Sequence, residues 1–101
     1  MPYYDVKLGK AYHAQGFFNI GVAVEKYIDP ADRAEITIDV FGYRKLHGKM
    51  DRTTNGNGTP RIFGSTELRD WFNSNFKMFE FVRVYFVSPT EVRLEKAPEN
   101  D

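Results

Sequence analysis

Two arginines, Arg52 and Arg61, bracket a run of small polar residues, Thr53, Thr54, Asn55, Asn57 and Thr59, interrupted by Gly56 and Gly58. Guanidinium, amide and hydroxyl groups at this density offer donors, acceptors and positive charge, but no proton-transfer pair. Their chemistry is the recognition of an anionic, donor-rich surface. Asn55-Gly56 and Asn57-Gly58 are successive turn signals, because Asn and Gly tolerate positive φ, and Pro60 stiffens the return. Residues 49–61 therefore read as a two-legged arm held out into solvent, with Lys49 at its entry. A solvated hairpin tip has the same polarity and glycine content, and residue type alone favours that plainer reading.

A second polar connection, residues 10–16, carries Lys10, Tyr12, His13 and Gln15 between apolar segments. Tyr12, an aromatic among polar residues, is a candidate for stacking or for wedging into a groove. His13 reads as a solvent-exposed donor rather than a base, since neither a carboxylate nor a nucleophile accompanies it in sequence. His13 and His47 lack metal-ligand spacing and the chain has no cysteine, so no metal and no cofactor is expected. Glu25-Lys26 and Glu95-Lys96 are adjacent residues whose side chains diverge, Asp29, Asp32 and Asp39 suit a solvated loop and a strand edge, and Gly56 and Gly58 lead to proline rather than a phosphate-cradling Lys-Ser. No enzymatic reading survives. Trp71 shares helical spacing with Leu68 and Phe72, which favours a core role over base stacking.

Short strands must position these segments. Residues 4–8 alternate, with Tyr4, Val6 and Leu8 on one face; residues 17–20 resume as a strand; residues 22–28 suit a short helix, ended by Asp29-Pro30. Residues 34–41 carry the clearest period of two, Ile36, Ile38 and Val40 inward against Glu35, Thr37 and Asp39. Residues 46–50 lead into the arm and 61–63 lead out. Ser65 is read as an N-cap with Glu67 in the first turn of a helix to Asn75. Residues 79–87 and 91–96, joined at Ser88-Pro89-Thr90, close the chain as an antiparallel pair. Seven short strands and two short helices predict a mainly β (α+β) architecture: a nearly closed antiparallel barrel whose ends the helices cover.

A length of 101 residues predicts one domain, residues 1–101, with room for a single core that nine Phe, six Tyr and one Trp can fill. The absence of cysteine is compatible with an intracellular, cytoplasmic location; neither a signal peptide nor a bilayer-spanning stretch is read. Fourteen Lys plus Arg balance fourteen Asp plus Glu, so net charge makes no case for a polyanion. The distribution does so weakly: between residues 41 and 64 Arg44, Lys45, Lys49, Arg52 and Arg61 face Asp51 alone.

The order of elements resembles the DNA-binding pseudobarrel family, which joins plant B-three transcription-factor domains to the effector domains of EcoRII-type restriction endonucleases. The resemblance is carried by Gly16-Phe17-Phe18-Asn19-Ile20, by Ile36-Thr37-Ile38, by residues 60–72 from Pro60 through Trp71 to Phe72, and by residues 81–86, Phe-Val-Arg-Val-Tyr-Phe. Two departures stand out: Phe79-Glu80 where the family usually has Gly-Asp, and Asp70 where it usually has the glycine before the helix tryptophan.

The resemblance implies a seven-stranded open antiparallel pseudobarrel capped by two short helices, gripping the major groove of double-stranded DNA between two arms. It assigns Lys10, Tyr12, His13 and Gln15 to the amino-side arm and residues 52–61, with Arg52, Thr53, Thr54, Asn55, Asn57 and Arg61, to the carboxy-side arm. Arg pairs with guanine edges, Asn and Gln with adenine, and Thr offers its hydroxyl or methyl. Lys10, Lys45 and Lys49 are assigned to phosphates. Base or phosphate contact and an exposed structural role remain open for Arg52 and Arg61, while Asp51 is expected to orient Arg52. The implied role is a monomeric, sequence-specific recognition module of a restriction-type endonuclease, partnered by a nuclease domain or subunit and without catalysis of its own. Two other readings stand beside it: a single-stranded nucleic-acid-binding barrel stacking bases on Tyr12, Tyr43 and Phe17, and a protein-interaction or adaptor module for which neutrality is natural.

Overall fold

A computed structural model describes residues 1–98. Seven strands make one sheet: β1 (Tyr3–Lys7), β2 (Phe17–Asn19), β3 (Arg33–Val40), β4 (Lys45–Asp51), β5 (Arg61–Phe63), β6 (Phe81–Ser88) and β7 (Glu91–Lys96). Their order, β1-β6-β7-β3-β4-β5-β2, leaves β1 and β2 as the two edges. Curling brings those edges face to face across a seam, where the Tyr4 ring lies against Gly21 so closely that an added Cβ would stand 3.0 Å from it.

Alternation dictates what fills the interior. Along β3 the residues Ile36, Ile38 and Val40 are buried and Glu35 is exposed; along β6 Val82, Val84 and Phe86 are buried against the outward Phe81, Arg83, Tyr85 and Val87. Phe18 and Ile62, the middle residues of β2 and β5, have no accessible surface. The expected strands are present, with the bounds of β5 and β7 as read from sequence and the others within about two residues.

Three differences have physical reasons. First, the sheet is mixed rather than wholly antiparallel: β3 pairs with β7 in parallel, Thr37 to Val40 against Glu91 to Leu94, a pairing between strands far apart in sequence that leaves no local signature. Second, residues 10–15 are not an open connection but a helix, α1 (Lys10–Gln15), closed by Gly16 at φ 72°. The remaining helical segments are the 3-10 helix Val22–Tyr27, in place of the short helix expected there, and α2 (Ser65–Asn75). Third, Ser65 does not cap α2. The N-cap position is Gly64, and Ser65 is the first helical residue, at φ 61°.

Gly16 lets the two helices meet backbone to backbone. Gly64 donates its N–H to the Gly16 carbonyl, and a Cβ on Gly16 would stand 2.5 Å from the Arg69 nitrogen and 2.7 Å from the Ser65 oxygen. Leu68 and Phe72 are buried on the core side of α2; Trp71 packs half-buried against Phe72 and Phe76, the core role its spacing implied. Phe79, standing where the resembling family usually has glycine, has φ 75°. Among the described residues no helix is long and apolar enough to cross a membrane.

Candidate nucleic-acid interface

Two registers define a surface. Asp51 lies opposite Arg61, and Arg61 opposite Asn19; one step along the strands, Lys49 lies opposite Phe63, and Phe63 opposite Phe17. The residues between them, Met50, Ile62 and Phe18, are buried. Asn19, Arg61, Asp51, Phe17, Phe63 and Lys49 therefore share the outer face of β4, β5 and β2, which His47 extends. The β4–β5 loop, residues 52–60, bounds this face at the Asp51–Arg61–Asn19 end. The α1 helix bounds the other end, entering through Tyr12, whose ring meets Phe17 edge-on at 5.3 Å.

The loop holds its shape through its own side chains. Asp51 accepts hydrogen bonds from the Thr53 N–H and hydroxyl, both at 2.7 Å, and from the Thr54 N–H at 3.2 Å. The Thr53 hydroxyl bond, foremost among these, holds the Asp51 carboxyl below its ordinary 3.8. Asn57 accepts from the Thr59 N–H and hydroxyl, Asn55 donates to the Thr59 carbonyl at 2.9 Å, and Gly58 takes φ 76°. Thr53, Thr54, Gly56 and Asn57 remain exposed at the tip.

Arg52 faces inward instead. Its Nη2 donates to the carbonyls of Asp29 at 3.0 Å, Ile28 at 3.3 Å and Glu25 at 3.4 Å; Nε reaches Asp29 again, and Nη1 bonds the Gly58 carbonyl and the Glu25 carboxylate. At 15% side-chain exposure it neutralises the carbonyl end of the 3-10 helix and ties the loop to it. Its donors are spent on the fold. Asp51 does not orient it, contrary to expectation, but shapes the turn that follows.

Arg61 remains available. Nε donates to Asn19 Oδ1 at 2.8 Å and Nη2 to Asn55 at 3.4 Å, while its guanidinium carbon lies 4.7 Å from the Phe17 ring centre. Held flat by an amide on each side and a ring beneath, it keeps its Nη1 donors unbonded among the described residues. Asn19, which completes this clamp, was not singled out as a site residue in the sequence; only the β2–β5 register reveals it.

The other expected residues divide. Lys49 is exposed and forms no salt bridge among the described residues, and the same holds for Lys10 at the start of α1; Gln15 is exposed at its end. His13 is not a free solvent-facing donor: its Nε2 donates to the Phe76 carbonyl at 2.7 Å and joins α1 to the end of α2. Lys45 pairs with Glu91 at 3.4 Å at the far end of β4, roughly 20 Å of strand from Asp51. Arg44, also counted in the basic segment, bonds Glu67. The basic stretch of sequence is thus reduced in space to Lys49 and Arg61, with Arg33 opposite Asp51 on β3.

No family model matches the chain, and no curated protein matches it. Among solved structures it is similar to the N-terminal domain of Helicobacter pylori LlaJI.R1, with a TM-score of 0.73 and 14% identity, over 100% of this chain and 84% of that one. It is also similar to an Arabidopsis FUS3-DNA complex, with a TM-score of 0.65 and 15% identity, over 94% of this chain and 97% of that one. At such identities the fold is what is shared: the chain has the B-three-like pseudobarrel fold that its element order resembled.

Proposed function

We propose that the protein binds double-stranded DNA in a sequence-specific manner, with the loop 52–60 and α1 straddling the major groove and the outer face of β4, β5 and β2 between them. The observation that carries this reading is the clamped Arg61, a flat guanidinium with free donors set between the two bounding segments. The spacing supports it. Only the three residues of β2 separate the two ends, about 10 Å of extended chain, of the order of the ~12 Å major groove. One structure of the same fold is, by its title, a complex with DNA.

Roles follow from exposure and from which polar groups the fold already uses. Arg61, Asn57 and Thr54 read bases, Gln15 and Tyr12 contribute from α1, and Lys49 and Lys10 contact phosphates and fix register without reading sequence. Thr53 and Asn55 shape the arm. In this reading the domain is an intracellular monomer that acts as the target-recognition module of a restriction-type endonuclease, with bond cleavage left to a partner domain or subunit.

Selection from a randomised duplex pool tests it. An enriched motif is expected, and Arg61→Ala should relax the preference at one position while Lys49→Ala weakens every sequence alike. A pool that returns no motif overturns the proposal.

A further inference from the structure

The outer face of β1 and β6 is a different surface, and its composition is unusual for the solvent side of a strand pair. Register sets Tyr3 opposite Tyr85, Asp5 opposite Arg83 and Lys7 opposite Phe81. Val6, Val82 and Val84 occupy the inward parity. Polar residues are the norm at outward positions, yet Tyr3 is 49% exposed, Phe81 46% and Phe79, just before β6, 55%.

Cations interleave with these rings. The Arg83 guanidinium lies 3.9 Å from the Tyr3 ring centre, and the Lys7 ammonium, opposite Phe81, lies 5.5 Å from that of Phe79. Lys7 therefore neighbours both rings, Phe81 across the strand pair and Phe79 just before it.

The Phe79 ring is turned outward against its own backbone preference. A bulky residue at φ 75° is uncommon where Gly or Asn would sit without strain. The turn is fixed on both sides: Phe79 N–H donates to the Leu8 carbonyl at 2.7 Å, Leu8 N–H to the Glu80 carbonyl at 2.9 Å, and Lys77 N–H to the Glu80 carboxylate at 2.6 Å. At 55% exposure the ring gains little burial to offset the strain.

Local charge selects the ligand. Asp5 is held by both arms of the Arg83 guanidinium, and Glu80 by the Lys77 N–H and by Lys96. Lys7 and Lys77 make no salt bridge among the described residues. Two exposed rings beside a lysine that forms no salt bridge match successive flat bases joined by a phosphate.

We propose that the outer face of β1 and β6 binds an unpaired DNA strand, with successive bases stacked on Phe79 and Phe81 and the phosphate between them on Lys7. This site goes beyond the duplex reading and shares neither Arg61 nor Lys49 with it.

Fluorescence anisotropy with a labelled oligo(dT) twelve-mer and, separately, a selected duplex tests the proposal. Phe79→Asn and Phe81→Thr should each weaken oligo(dT) binding about tenfold, the loss of one base–ring stack, and leave duplex affinity within about twofold. Asn suits the backbone at position 79, so the Phe79→Asn protein should melt at or above the wild-type temperature while binding less, which separates loss of the ligand from loss of the fold. Arg61→Ala should give the opposite pattern, duplex weakened and oligo(dT) unchanged. Absence of oligo(dT) binding by the wild type, or binding indifferent to both ring substitutions, overturns this inference and leaves the duplex reading untouched. Failure of duplex binding with ring-dependent oligo(dT) binding intact overturns the duplex reading alone.

Discussion

The two segments that bound the β4–β5–β2 face hold their positions by opposite means. The loop 52–60 is shaped by side-chain hydrogen bonds, from Asp51, Asn55, Asn57 and Arg52, and only Thr59 and Pro60 within it are buried. The α1 helix has no buried residue at all, and its place is set by backbone contact at Gly16 and Gly64, by Tyr12 on Phe17 and by His13 on Phe76. A loop braced by polar groups can be redrawn one bond at a time. A helix seated on glycine fails as a unit.

That contrast orders the substitutions. Gly16→Ala should be the most damaging, because it places a Cβ 2.5 Å from the Arg69 backbone and forces an L-residue to φ 72°. A loss above about 3 kcal/mol is expected in denaturant unfolding, and a loss near zero would mean that the helices can separate without cost. Arg52→Ala should come next, at about 2 kcal/mol, since carbonyls and a carboxylate lose a charged donor. Binding measured below the unfolding range should keep its full salt slope, because Arg52 touches no phosphate; a slope reduced by about one ion would show that it does.

Arg61→Ala removes no buried group and should cost little stability, but about 1–3 kcal/mol of preference at one base pair. The smallest effect concerns pH. Because Asp51 has its carboxyl lowered in the folded loop, the turn is fully supported above the ordinary 3.8 and loses that support as pH falls below it towards the lower folded value. An NMR titration of the Asp51 carboxyl should give a midpoint under 3.8, and one at or above it would mean that the Thr53 bonds do not persist in solution.

Local patterning made the strands and α2 legible. Period-two alternation at 34–41 gave β3 its buried face, and Leu68 with Phe72 gave α2 its inward side. What escaped was whatever depends on distant partners. Six residues of α1 are too few to show an apolar stripe, so its helicity rests on Gly16 and on contacts with α2. The parallel β3–β7 pairing joins strands that share no turn. Arg52 looks like any loop arginine until Glu25 and the carbonyls beside it are in place.

The turns of the loop 52–60 were legible because Asn-Gly pairs and Pro60 announce a turn wherever they stand. Its inward and outward arginines were not distinguishable, since both flank the same polar run and only the register with Asn19 separates them. The β1–β6 face left a trace that was readable in part: Phe81 and Tyr85 sit on the parity opposite Val82 and Val84, where polar residues belong.

Whether a duplex lies across the face between loop and helix is decided by a salt titration of duplex binding for the wild type and Lys49→Ala. The logarithm of affinity should fall linearly with the logarithm of salt, and the variant should lose about 0.9 from the slope at an unchanged base preference. A slope identical in the two proteins would place the duplex elsewhere on the molecule.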